Sequence, residues 1–241
     1  MAKGVHERIA KYYAMREWFD ETCGALVNHI DESGVKENTL VLYVFDNGWI
    51  QTERGSYARR SKRSPNEHGT RTPIIFRWPG TIPAADRPEL CSSIDFVPTV
   101  LAAAGAIRPH NFPGRNLLPE LKSGKAIERD TLFGESFAHD IADIESPQAS
   151  LLYGWVIRGH DKLLLTYDEA PGKMKYPPQS GEPQLFNLKN DPGEEMNLAA
   201  KNPRLVKELS SLLDEWYVTS ERQAGKFVSG ARKRKKRRSS L

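Results

Sequence analysis

The stretch that most constrains this chain is Leu40-Val-Leu-Tyr-Val-Phe45, followed at once by Asp46-Asn47-Gly48. Six apolar residues in a row are too few to span a membrane and too unbroken for a strand with one wet face. They predict a strand buried on both faces of a parallel sheet. Asp46, Asn47 and Gly48 then sit at the strand's carboxyl end, the edge where open α/β sheets bind ligands. A carboxylate beside a carboxamide presents two hard oxygen donors to a cation such as Ca2+, and Gly48 turns the chain away without adding a side chain. Asn-Gly is also a strong hairpin signal, although residues 49–55 offer no alternating partner strand of useful length. On these residues alone, cation site and plain turn both stay open.

Around this stretch the chain punctuates itself clearly. Over residues 5–32, Val5, Ile9, Tyr12, Phe19, Cys23, Leu26 and Ile30 recur at helical steps among charged residues, which predicts one amphipathic helix ending near Gly34. A helix feeding a buried strand is half of a crossover, whose other strand would precede it. Residues 51–70 are polar, basic and rich in Ser, Gly and Arg, and predict a long surface loop of the kind that carries function. Pro73–Trp78 is a second short strand stopped by Pro79-Gly80, and Ser92-Ser-Ile-Asp95 is a capping box opening a helix that Gly105 closes. Phe112–Arg115 is a turn before a short helix over Leu117–Leu121. Beyond Leu132, the runs Leu151–Ile157 and Lys162–Tyr167 flank the turn Arg158–Asp161 as a hairpin. Pro183–Asn187 adds a strand and Pro203–Tyr217 a last amphipathic helix, together a small α+β module.

Charge is unevenly placed. The sequence pI is about 9.0, yet Arg232–Arg238 holds seven basic residues, and without them 28 Lys+Arg face 31 Asp+Glu. The body is slightly acidic, and the basic end has almost nothing apolar to fold around, so a solvated tail is expected in preference to a nucleic-acid site. Cys23 and Cys91 form neither a disulfide framework nor a metal-ligand spacing, and each is expected to be a small buried hydrophobe. Residues 1–8 lead directly into a charged helix with no export signal, and no run approaches a membrane span; taken literally, this predicts a cytoplasmic chain and no membrane partner.

Four landmarks in one order are far more specific than one tripeptide. Asp46-Asn47-Gly48, Lys62, Glu67-His-Gly-Thr-Arg-Thr-Pro-Ile-Ile-Phe-Arg-Trp-Pro-Gly80 and Ser93-Ile-Asp-Phe-Val-Pro-Thr99 resemble the C-terminal half of a type I sulfatase, of the arylsulfatase family and alkaline phosphatase superfamily, from residue 5 to about 217. The resemblance implies an α/β fold: residues 1–131 as the C-terminal part of the sulfatase catalytic domain, 132–221 as a small subdomain with an antiparallel sheet and one helix, and 222–241 as a basic tail. It implies a sulfuric ester hydrolase acting on aryl or carbohydrate sulfates with a divalent cation, normally Ca2+, and a formylglycine nucleophile. Asp46 and Asn47 match two metal ligands, and Lys62 matches a lysine that contacts the sulfate. His68 stands where the family more often has glycine, making it a weak candidate substrate contact, and His139 is a second weak candidate on the rim of the small subdomain. Glu67 and Arg71 are expected to pair and shape the loop. In the family, members are commonly periplasmic, secreted or lysosomal.

The departures matter as much. The family's first metal aspartates and its C/S-x-P/A-x-R formylglycine motif lie before this region and have no counterpart here. Ser56-Tyr-Ala-Arg-Arg60 satisfies the bare serine pattern but follows the Asp-Asn pair instead of preceding it, so it is discounted. The expected function is therefore a sulfatase portion, with a separately encoded N-terminal half as one candidate partner. The alternatives are a phosphonate or phosphate monoester hydrolase of the same superfamily, or a non-catalytic protein binding a sulfated or acidic partner through residues 51–71.

Overall fold

The computed structural model describes residues 6–107, 113–138, 145, 150–167 and 181–216. The first helix, α1 (Glu7–Glu32), has the expected extent, but its apolar stripe is only half covered. Ile9, Tyr12, Cys23, Val27 and Ile30 are half-buried, whereas Met15, Trp18 and Leu26 are exposed. Phe19 meets Tyr43 and Phe45, each with ring centroids 6.4 Å away, and Arg77 Nη2, donating to both Asp31 carboxylate oxygens, ties the helix end to the sheet.

Strand β1 (Val41–Val44) pairs with β2 (Ile74–Arg77) in antiparallel register, Val41 opposite Arg77 and Val44 opposite Ile74. This corrects the expectation of a parallel strand buried on both faces. Val44 and Phe45 are 37% and 42% exposed, because among the described residues β1 has one strand neighbour and one helix against it. An apolar run reports the burial a strand can tolerate, and the neighbours decide how much it receives.

The capping box forms as the sequence expects. Ser92 N–H donates to Asp95 Oδ2 at 2.9 Å, a 3₁₀ turn over Ser93–Asp95 leads into α3 (Phe96–Ala103), and Gly105 follows with φ 66°. Asp95 has a further role that spacing does not reveal. Fully buried, it also accepts the Arg115 N–H and a bidentate Arg129 guanidinium at 2.6 and 2.8 Å. Burial pushes its carboxyl up, but Arg129 and the two backbone donors outweigh this and hold it below the ordinary range. Next comes α4 (Leu118–Ser123), where Leu117, Leu121 and Ile127 form a small core with Phe76, Ile82 and Cys91. Both cysteines are free and half-buried, not fully buried as expected.

The second sheet is antiparallel throughout, in the order β3 (Thr131–Phe137), β4 (Leu151–Arg158), β5 (Asp161–Thr166) and β6 (Gln184–Asn187). Helix α5 (Pro203–Trp216) lays Leu209 and Leu213 on Val156, Leu163 and Leu185. Tyr153, Trp155, Ile157 and Leu164 fill the opposite face with Leu90 against them. At about 1.5–3 kcal/mol for each fully buried aliphatic or aromatic side chain, these two layers dominate the stability of this half. Here Leu151–Ile157 is buried on both faces, as a continuous apolar run should be. The β4–β5 hairpin, β6 and α5 were all foreseen. Strand β3 was not, since Gly134, Glu135 and Ser136 interrupt its apolar pattern; a Cβ on Gly134 would lie 2.2 Å from the Trp155 ring, so the glycine makes room for the indole. No helix among the described residues is long and apolar enough to cross a membrane. The basic run at 232–238 lies outside the described residues.

Candidate anion and cation site

Strand β1 carries Asp46 and Asn47 to its carboxyl end, Asp46 exposed and Asn47 half-buried. Asn47 Nδ2 donates to Gly48 O at 3.0 Å, which leaves Oδ1 as the amide's acceptor. Gly48 N–H donates to Gly69 O at 2.9 Å, and a Cβ at Gly48 would sit 2.0 Å from His68 O. The glycine therefore permits a close backbone approach between the Asp-Asn turn and the segment bearing His68; no hairpin is made at Asn47-Gly48.

Lys62 is half-buried, its ammonium over the Trp49 ring at 5.7 Å from the centroid, and Trp49 in turn packs on Tyr57 at 5.1 Å. Lys62 thus contacts Trp49, one residue beyond Gly48 in the turn that follows β1. His68 presents an exposed side chain next to that junction. His139 lies outside the described residues. Alongside, Arg8, Lys11, Tyr12 and Met15 face Trp49 and Gln51 across a crevice of about 410 Å³, so cations and aromatic rings share one wall system.

Chemically, Asp46 and Asn47 suit a hard divalent cation, but only as part of a set. Such ions take six to eight oxygens, and among the described residues no group of three or more His, Cys, Asp or Glu is placed to hold a metal.

Two expectations about the loop need correcting. Residues 51–70 are not simply a surface loop: Ser61, Ser64, Asn66 and Glu67 are buried, and Glu67–Thr70 forms the short helix α2. Glu67 does not pair with the Arg71 side chain; the two are linked by Arg71 N–H donating to Glu67 O at 2.8 Å. Its carboxylate instead accepts from Lys162 Nζ at 2.8 Å, and the same ammonium donates to Pro65 O at 2.9 Å and lies 2.9 Å from Glu194 Oε1. Glu194 Oε2 accepts the Glu67 N–H at 2.8 Å. A charge at Lys162, 0% exposed, outbids a solvent-exposed arginine because a buried ion must be paired. The available signal was Lys162 on the same face of β5 as Leu164, an inward place for a lysine.

A family model described as Sulfatase matches residues 2–106, and one described as N-sulphoglucosamine sulphohydrolase, C-terminal, matches residues 55–219. A sulfatase of Formosa agariphila is 28% identical over 93% of this chain and 42% of its own length. Human arylsulfatase A is 30% identical over 80% of this chain and 40% of its own. A protein solved in complex with its substrate D-glucosamine-2-N,6-O-disulfate is 28% identical and superposes with a TM-score of 0.61 over 82% of this chain and 37% of that one. The chain spans about two fifths of the length of the relatives it matches. On these matches, the chain belongs to the sulfatase family and shares its alkaline phosphatase-like fold.

Proposed function

We propose that this chain provides the sulfate-holding part of a sulfuric ester hydrolase. In this reading Asp46 and Asn47 are two oxygen ligands of a divalent cation, Ca2+, and Lys62 contacts a sulfate oxygen of an aryl or carbohydrate sulfate. The observation that carries it is the clasp between Gly48 and Gly69, which sets the Asp-Asn turn against the segment holding Lys62, with Trp49 between them. A bound cation would neutralise charge on the transferring group, and a nearby ammonium, a compact point charge, suits a tetrahedral anion. The crevice of Arg8, Lys11, Tyr12 and Trp49 favours an acidic sugar over a plain aryl group, since rings stack on sugar faces and cations meet sulfates. The formylglycine nucleophile is expected from the part of the fold that relatives carry beyond this match, whether on the same polypeptide or a partner.

The test assays these 241 residues alone, then with an N-terminal sulfatase half bearing formylglycine, on an aryl sulfate, a sulfated amino sugar and a phosphate monoester. Alone the chain should show no turnover and weak Ca2+ binding. The pair should cleave sulfates, with Asp46→Ala and Lys62→Ala each lowering turnover by about 10²–10³. Activity indifferent to both substitutions would place the site elsewhere, and turnover by the chain alone would return attention to Ser56.

A further inference from the structure

The segment that carries Lys62 is strained and pinned from outside. Arg60 and Arg63, on either side of Lys62, hold φ of 64° and 63°, a left-handed conformation that costs a side-chain-bearing residue energy and persists only where the surroundings over-determine it. The surroundings here belong to the antiparallel sheet and to the segment that follows β6. Arg60 donates through Nη2 to Glu194 O and lies over the Phe186 ring, 6.0 Å from its centroid. Lys162 gathers Pro65 O, Glu67 and Glu194 around one fully buried ammonium, 5.9 Å from the Trp155 ring centroid. Glu194 is itself left-handed, φ 56°, and closes the ring by accepting the Glu67 N–H. Gly69 then fits where a Cβ would lie 2.3 Å from Ser61 O and 2.4 Å from Ser64 O, and it passes the constraint to Gly48.

We infer that Lys162, Glu67 and Glu194 are positioning residues: a buried charge latch by which the C-terminal sheet sets the conformation of residues 60–69, and so the placement of Lys62 against the Asp46-Asn47 turn. The inference rests on the sulfate-site reading only for what the latch serves; the latch itself rests on the contacts above. Among the sheet's charged pairs, Arg158–Glu208 is 2.8 Å long but half-exposed and touches no residue of the loop, which makes it a suitable control.

The experiment takes the full chain and the variants Lys162→Met, Glu194→Gln and Arg158→Ala. It measures hydrogen exchange by peptide, and the sulfate concentration that half-protects Lys62 from an amine-acetylating reagent. Glu194→Gln keeps size and shape, so it reports on the latch even if Lys162→Met fails to fold. Losing a charge-assisted bond should speed exchange across residues 59–71 by about tenfold or more. The β4, β5 and α5 peptides should keep their protection, and the half-protecting sulfate concentration should rise by a similar factor. Arg158→Ala should change neither. Unchanged exchange in 59–71, or equal loosening of loop and sheet, would overturn the latch. If sulfate fails to protect Lys62 in the unaltered chain, the sulfate-site reading falls, while the contrast between loop and sheet still decides the latch.

Discussion

Single residues decide more here than their type suggests. Asp95 serves as helix cap, as acceptor for the Arg115 N–H and as counter-ion to Arg129, so Arg129→Met leaves a buried carboxylate uncompensated. The expected loss is about 3–5 kcal/mol in urea unfolding. Asp95 in its folded state titrates below its ordinary value, and Glu89, gripped by Arg87, is brought to about 2. A depressed carboxyl stabilises the fold above its unfolded pKa and loses that contribution as pH falls through the folded one. The denaturation midpoint should therefore decline from about pH 5 toward pH 2, and Asp95→Asn should flatten part of that decline. Gly48→Ala should cost about 1–3 kcal/mol, read as a lowered Tm, because the added methyl meets backbone that cannot swing aside.

The elements divide by how they are covered. Strand β4 is sandwiched between α5 and the layer holding Trp155, so its apolar run and its environment agree. Helix α1 and strand β1 also carry apolar residues, but Met15, Trp18, Phe19, Val44 and, just past β1, Phe45 stay substantially exposed. Exposed apolar surface of this kind promotes association, and Met15→Lys with Trp18→Lys should shift the chain toward monomer in sedimentation without altering its helical content. Cys91 lies at the edge of the α4 core, and burial pushes its thiol up to about 11. It should resist alkylation at pH 8 in the folded chain and react on unfolding. The elements legible in advance were those whose caps and periods are local: α1, the capping-box helix, the β4–β5 hairpin and α5. Strand β3 escaped because its pattern is broken by Gly134, whose reason is an indole from the neighbouring strand.

At the scale of the molecule, a two-stranded unit bearing Asp46 and Asn47 meets a four-stranded sheet partly through residues 60–69, where the contact is ionic. The sequence alone determined the order of most helices and strands, α2 and β3 excepted, the place of Asp46-Asn47-Gly48 at a strand end and, through four spaced landmarks, the family. These follow from short-range rules: periodicity, capping and turn chemistry act between residues a few positions apart and leave their trace in order and spacing. Only the tertiary structure decided which strands are neighbours, how deeply β1 is covered, and that Glu67 answers to Lys162, 95 positions away in the chain, and not to nearby Arg71. A buried charge takes whichever partner the packing brings within reach, and that distance is set by the folded path of the backbone, on which adjacency in sequence has no hold.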